Sequence, residues 1–234
     1  MSVAFVAGST GYTGKEVVHQ LATAGATVYA HVRPDSRELA RWQEQFGGYG
    51  ATVDTTPWDE GAMTRRLAEL QPDQVYLLLG TTRARAKKGE SGAVADTYEA
   101  VDYGLTALMI KACQGAGIQP RILYLSSMGV VPGTSNPYLN ARHRIETLLK
   151  DGALPFTVAR PSFITGPGRD EDRPGERRAA AIGDFFLKAA SLLGAKSTAD
   201  RYRSITNVEL AAALIRLAQD PTAVGRIVEA DGLR

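Results

Sequence analysis

With 234 residues, 44% of them hydrophobic and 22% charged, the chain has the size and balance of a soluble domain with a substantial core. That excludes a disordered regulator and a mini-protein held together by staples. Its 27 basic residues nearly cancel its 25 acidic ones, so a net charge of +2 provides no bulk attraction to nucleic acid or to an anionic membrane. Cys113 is the single cysteine, which excludes an internal disulfide and any multi-cysteine zinc or iron–sulfur centre. His19, His31 and His143 have no paired ligand spacing, so no metal site is expected.

Short apolar runs alternate with segments of helical period along the whole chain. Val3 to Ala7 reads as a buried strand, followed by a glycine-rich turn and a helix over Lys15 to Ala24. Then come a strand over Thr27 to Val32, a helix over Ser36 to Phe46, a strand over Ala51 to Val53 and a helix over Asp59 to Leu70. Val75 to Leu79 is the fourth strand. Beyond it, Tyr98, Val101, Leu105, Leu108 and Ala112 recur at steps of three and four and predict a helix from Asp96 to Gly115, where glycines stop it. Strands over Ile122 to Leu125 and Phe156 to Ala159 flank a helix over Pro137 to Lys150, and Val208 to Gln219 forms a last helix. This alternation predicts an α/β fold, a Rossmann-type doubly wound parallel sheet with helices on both faces, as one domain over residues 1–234. No apolar stretch approaches the ~20 residues that span a bilayer, and Ser2 to Ala7 is too short for a signal-peptide core, so a cytoplasmic location is expected.

In such a fold the chemistry lies in the loops beyond the carboxyl ends of the strands. The first of these is Gly8-Ser9-Thr10-Gly11-Tyr12-Thr13-Gly14, a GxxGxxG turn between a strand and a helix. Glycines there permit a tight turn and close approach of backbone N–H groups to a diphosphate at the helix start, which is the requirement for binding a dinucleotide. After the second strand an acidic residue would hold the ribose hydroxyls of NAD(H). The chain instead has Arg33, whose planar fork suits a 2′-phosphate, with the Ser9 and Thr10 hydroxyls nearby, so NADP(H) is preferred; Asp35 leaves NAD(H) open.

With these residues in place, the chain resembles the atypical and extended short-chain dehydrogenases, in the branch of the NmrA-like and Tat-interacting-protein oxidoreductase-like proteins. The likeness is carried by Gly8 to Gly14, Leu79-Gly80-Thr81-Thr82-Arg83, Ser126-Ser127, Tyr138 with a basic residue four positions on, Arg160-Pro161, and Arg173-Pro174-Gly175-Glu176. The resemblance implies that Gly80, Thr81, Thr82 and Arg83 border the cofactor's ribose and phosphates, that Pro161, Ser162 and Ile164 line the nicotinamide, and that Asp54 or Thr55 approaches the adenine. It also implies that Tyr138 gives or takes the proton, aided by the basic residue one helical turn away.

Two departures stand out. The usual lysine is Arg142, which keeps a positive charge for phenolate and ribose but is bulkier and forked. Met128 occupies the place where a serine or threonine would polarise the substrate carbonyl, leaving Ser127 or Ser126 as the donor; losing one such donor costs roughly 2.7 to 4 kcal/mol of barrier. The basic run Arg83, Arg85, Lys87 and Lys88 reads as a solvated loop or a guide for phosphate. The mixed-charge stretch Gly166 to Arg178 is a candidate substrate lid within residues 163–206, and Phe185, Phe186 and Leu187 are pocket wall or core. Cys113 reads as a small buried hydrophobe.

The expected activity is NADP(H)-dependent oxidoreduction of a small carbonyl or alcohol, with Tyr138, Arg142, Ser127 and Ser126 as its machinery. A catalytically weak NADP(H) sensor and an epimerase or dehydratase are the alternatives. The expected partner is a small carbonyl substrate, with no nucleic acid and no membrane, and the resemblance implies that a homodimer, if formed, uses the helices over 96–115 and 137–150.

Overall fold

A computed structural model describes residues 2–81, 97–166 and 203–234. Its framework is a seven-stranded sheet built from β1 (Val3–Ala7), β2 (Thr27–His31), β3 (Thr52–Asp54), β4 (Gln74–Leu77), β5 (Arg121–Leu125), β6 (Phe156–Arg160) and β9 (Arg226–Glu229). The order is β3-β2-β1-β4-β5-β6-β9 and every neighbouring pair is parallel. A separate two-stranded pair joins β7 (Ile164–Thr165) to β8 (Ile205–Thr206). The order reverses between β1 and β4, and this switch opens a crevice at their carboxyl ends.

The sheet is buried on both faces because its strands are apolar without interruption. Ala4, Val6, Val28, Ala30, Tyr76 and Leu123 face α1 (Tyr12–Thr23), α2 (Leu39–Gly48) and α6 (Asn207–Gln219), while Phe5, Ala7, Val75, Leu77, Ile122 and Tyr124 face the opposite core. That second core is covered by α3 (Glu60–Leu70), α4 (Thr106–Gly115) and α5 (Pro137–Asp151). The helix ends follow the chain's chemistry. Asp59 caps α3 by accepting from Ala62 N, Asn136 caps α5 with Pro137 at its first position, and Thr206 and Glu209 form a reciprocal capping box on α6.

The six strands expected from sequence are present, with ends shifted by one or two residues. The seventh, Arg226–Glu229, escapes sequence reading because its apolar run is only Ile227 and Val228. The helix expected over 96–115 needs correction. It begins as a π-helix, Tyr98–Leu105, before α4, and the π winding shifts the phase of its inner face. Asp102, Thr106, Met109, Ile110 and Cys113 are buried, whereas Tyr98, Val101, Leu105 and Leu108 of the expected stripe are only half-buried. Burial pushes the Cys113 thiol up to about 12, so it packs as a neutral group. Among the described residues, no helix is long and apolar enough to cross a membrane.

Candidate active site at the carboxyl edge of the sheet

β1 delivers the chain into the turn at Gly8, where φ is +89°. A Cβ on Gly8 would lie 2.7 Å from the carbonyl carbon and oxygen of Leu78, and one on Gly14 would lie 2.0 Å from the Gly8 carbonyl oxygen. Both positions therefore require glycine, one for handedness and contact with the β4 exit, the other for helix packing on the turn. Gly11 N donates to Gly8 O at 3.0 Å, and Gly11 itself is the N-cap of α1, with no side chain capping the helix. The first turn of α1, Tyr12, Thr13 and Gly14, thus directs its positive end into the crevice, a cradle that fits a diphosphate. Thr10 is half-buried beside it. Ser9 is fully buried and donates to His31 O at 2.6 Å, tying the ends of β1 and β2 together. The Tyr12 hydroxyl reaches Thr165 O at 3.3 Å and links the cradle to β7.

At the end of β2, His31 is buried with Nε2 2.7 Å from Thr56 O and its ring 4.3 Å from Trp58. Burial holds its pKa below the ordinary value, against the pull of Thr56 and Asp54, so it is neutral. Arg33 and Asp35, the two opposed indicators of cofactor type, lie side by side, with Arg33 Nε 3.5 Å from Asp35 Oδ1. Asp54, expected to approach the adenine, has its carboxylate engaged within the protein. Its side chain is 2% exposed, and it accepts from Arg66 Nε at 2.6 Å and from Thr56 N at 3.0 Å. Burial opposes its charge, but these hydrogen bonds outweigh that and hold the carboxyl below its usual range. It is a latch on β3, and half-buried Thr55 is the neighbour left nearer the surface.

Gly80 and Thr81 leave β4 beside the cradle. Thr81 N donates to Asp102 Oδ2 at 2.9 Å, and the Thr81 hydroxyl is buried without a partner among the described residues. Thr82, Arg83 and the basic run through Lys88 lie outside the described residues. So do residues 167–202 of the expected lid, including Arg173 to Glu176 and Phe185 to Leu187.

Tyr138 stands in the first turn of α5, its amide capped by Asn136 Oδ1 at 3.0 Å. Its ring is half-buried, 5.4 Å from the Tyr98 ring and 5.2 Å from the Arg142 guanidinium. Arg142 is not turned outward as a ribose clamp. Its Nη1 donates to Leu125 O at 2.6 Å and reaches the Tyr124 hydroxyl at 3.4 Å, and its Nη2 donates to Leu79 O at 3.1 Å and Asp102 Oδ1 at 2.8 Å. The long forked side chain reaches the ends of both β4 and β5, where a shorter point charge would stop. Its charge stays beneath the Tyr138 ring, while burial pushes the Tyr124 hydroxyl up to about 12 against the opposing pull of the adjacent Arg142 cation.

The two serines separate. Ser126 is buried and donates to Glu146 Oε1 at 2.6 Å, so its proton is committed inside the protein. Glu146 also accepts from Arg160 Nε at 2.9 Å and Nη2 at 2.5 Å, and Arg160 Nη1 continues to Glu229 Oε1 at 3.0 Å. This chain joins α5 to the ends of β5, β6 and β9. Ser127 is half-buried and, among the described residues, donates to its neighbour's carbonyl, Met128 O, at 3.2 Å, a bond a ligand can replace. Pro161 is buried and accepts from Met128 N at 3.1 Å, the Ser162 hydroxyl contacts Arg203 O, and Ile164 pairs with Ile205 in the small sheet. Phe163 is 45% exposed on the same edge. Asp102 and the Glu146–Arg160 pair were not evident from sequence; the only signal was an acidic residue within an otherwise apolar helical face. A cleft of about 220 Å³ lined by Tyr12, Lys15, Glu16, His19, Gln45, Tyr49 and Asn207 contains none of the Tyr138 group and is a separate, polar feature.

Comparison with known proteins agrees with this fold. The structure superposes on an oxidoreductase of the short-chain dehydrogenase/reductase family from Burkholderia thailandensis with a TM-score of 0.72 at 17% identity, covering 99% of this chain and 91% of the other. It also superposes on the UDP-glucose 4-epimerase of Bifidobacterium longum, solved with NAD+ and UDP, with a TM-score of 0.69 at 17% identity over 97% and 77% of the two chains. In sequence, an uncharacterized chloroplastic protein of Arabidopsis thaliana is 26% identical over 173 residues, 68% of this chain; the alignment spans 58% of that relative's length. The match that runs from residue 8 to residue 221 identifies the chain as a member of the NAD(P)H-binding family.

Proposed function

We propose that the protein is an NADP(H)-dependent oxidoreductase acting on a small carbonyl or alcohol. The observation that carries this is the Tyr138 ring 5.2 Å from a buried guanidinium charge at the crevice where the uncapped α1 cradle also opens. When bound, the nicotinamide supplies or accepts the hydride. The chain supplies the rest. The α1 amides hold the diphosphate, Arg33 pairs with a 2′-phosphate, and Gly80 and Thr81 border the ribose. The Tyr138 hydroxyl passes its proton to the carbonyl oxygen in reduction and takes it back in oxidation, with the Arg142 charge favouring the phenolate left behind. Ser127 donates a hydrogen bond to that oxygen; Ser126 does not.

The test is NADPH and NADH titration followed by turnover on a panel of aldehydes, ketones and quinones. Oxidation of NADPH that is abolished in Tyr138→Phe supports the proposal. Tight NADPH binding with no turnover and no response to Tyr138→Phe favours a second reading, an NADP(H) sensor. That reading draws on the commitment of Ser126 and of both Arg142 terminal nitrogens to internal partners. Turnover confined to nucleotide sugars, without net cofactor oxidation, would favour epimerisation instead.

A further inference from the structure

The substrate end of the crevice is bordered by three described segments beyond the carboxyl edge of the sheet: residues 126–136 after β5, 161–166 after β6, and 204–208 leading into α6. None of them contains an acidic, basic or histidine side chain. The charges beneath them are paired with one another, Glu146 with Arg160, Arg160 with Glu229, and Arg142 with Asp102. A substrate carrying a phosphate or carboxylate beside its reacting carbon would lose water there and meet no charged partner in these segments. A sugar would leave several hydroxyls in the same position.

What the segments present instead is apolar. Val131 is 54% exposed, Phe163 is 45% exposed and Met128 is half-buried. Single exposed apolar residues are ordinary, but here backbone bonds draw their segments into one rim: Met128 N donates to Pro161 O at 3.1 Å, and Ile205 N donates to Phe163 O at 2.9 Å. Tyr138 begins its helix just beyond the first segment, and the half-buried Tyr98 ring lies 5.4 Å from its own. Rings and a polarizable thioether suit an aromatic guest, while the Ser127 hydroxyl supplies the polar group that orients a carbonyl. We infer that the crevice takes an aryl ketone or aldehyde, with Phe163 as a specificity-determining residue against the ring. Reduction of that carbonyl rests on the oxidoreductase reading above; the preference for an apolar ring rests on the rim.

The first readout needs no turnover. Protein saturated with the oxidised cofactor, which has no hydride to give, is titrated with a ring-fluorinated acetophenone and followed by fluorine NMR. Wild type should broaden the signal, and unlabelled acetophenone, but not glyceraldehyde, should reverse the broadening. Binding should weaken about tenfold or more in Phe163→Ala and stay within about threefold in Phe163→Tyr, which keeps the ring. Where carbonyl turnover is present, kcat/KM should be about tenfold or more higher for acetophenone than for glyceraldehyde, and Phe163→Ala should lower that ratio by about tenfold. No broadening by wild type at millimolar ketone, or equal binding by Phe163→Ala, overturns the inference. Turnover that favours glyceraldehyde also overturns it and leaves the oxidoreductase reading in place. Ketone binding that depends on Phe163, with no turnover of any carbonyl, supports the aryl site and overturns the oxidoreductase reading alone.

Discussion

Replacing Gly14 by alanine sets two known effects against each other. Gly14 lies within α1, where alanine is favoured over glycine by about 0.8 to 1 kcal/mol from backbone entropy. Its new Cβ would stand 2.0 Å from the Gly8 carbonyl oxygen, 2.9 Å from the Gly8 carbonyl carbon and 3.0 Å from the Ser9 Cα, all backbone atoms that no rotamer change can clear. Overpacking costs about 1 to 3 kcal/mol, and a 2.0 Å contact with backbone lies at the upper end of that range, so the clash wins and the variant is less stable by about 2 kcal/mol. Gly47, near the end of α2, is the control, because nothing lies within 4 Å of its Cβ position; Gly47→Ala should gain about 0.5 to 1 kcal/mol. Urea denaturation of the three proteins reads both signs in one assay. NADPH titration of Gly14→Ala should show at least about a tenfold weaker complex, since the Gly8 carbonyl cannot move without moving the cradle. A Gly14→Ala protein as stable as wild type, with unchanged NADPH affinity, would refute the close packing of turn on helix from which the diphosphate site is argued.

Arg33→Asp should weaken NADPH binding much more than NADH binding, and an equal response in the two titrations counts against a 2′-phosphate partner. Ser126→Ala removes a buried hydrogen bond to an ionised carboxylate and should cost about 1.5 to 3 kcal/mol in denaturant while sparing turnover; a loss of about 100-fold or more in kcat would return Ser126 to the carbonyl. Ser127→Ala should show the opposite pattern, with kcat reduced and stability nearly unchanged. The neutral, buried His31 contributes stability that is complete above its ordinary value of 6.5 and is lost as pH falls below it, because only the unfolded chain takes up the proton freely. Unfolding free energy should therefore decline from pH 7 to pH 5 by up to about 1.4 kcal/mol per pH unit more than in His31→Gln, and parallel pH profiles for the two proteins would contradict this.

The parallel sheet was legible because its strands are apolar on both faces and β-branched, and the glycine turn because strand, turn and helix occur together with glycines at 8, 11 and 14. What remained hidden depends on side chains that sequence spacing does not bring together. Asp102 and Arg142 are separated by forty positions, and the helical period that predicted Val101 and Leu105 as the inner face ignored the π winding that turns Asp102 inward. Ser126 looked like a substrate donor because nothing in its neighbourhood announces Glu146, one helix later, as its acceptor. Asp54 looked available to a ligand for the same reason, since its partner Arg66 arrives from α3. β9 was missed because two apolar residues are too few to register, yet its pairing with β6 completes the sheet.

The charge chain from Ser126 through Glu146 and Arg160 to Glu229 has a consequence for biogenesis. Its members come from the middle of the sequence except Glu229, which sits in the final strand. During synthesis the early strands can pair as they emerge from the ribosome, but Arg160 waits for its second carboxylate, and β6 for its outer neighbour, until residue 229 is free. The carboxyl edge of the sheet thus takes its shape only once residue 229 has been made, later than the strands that precede it.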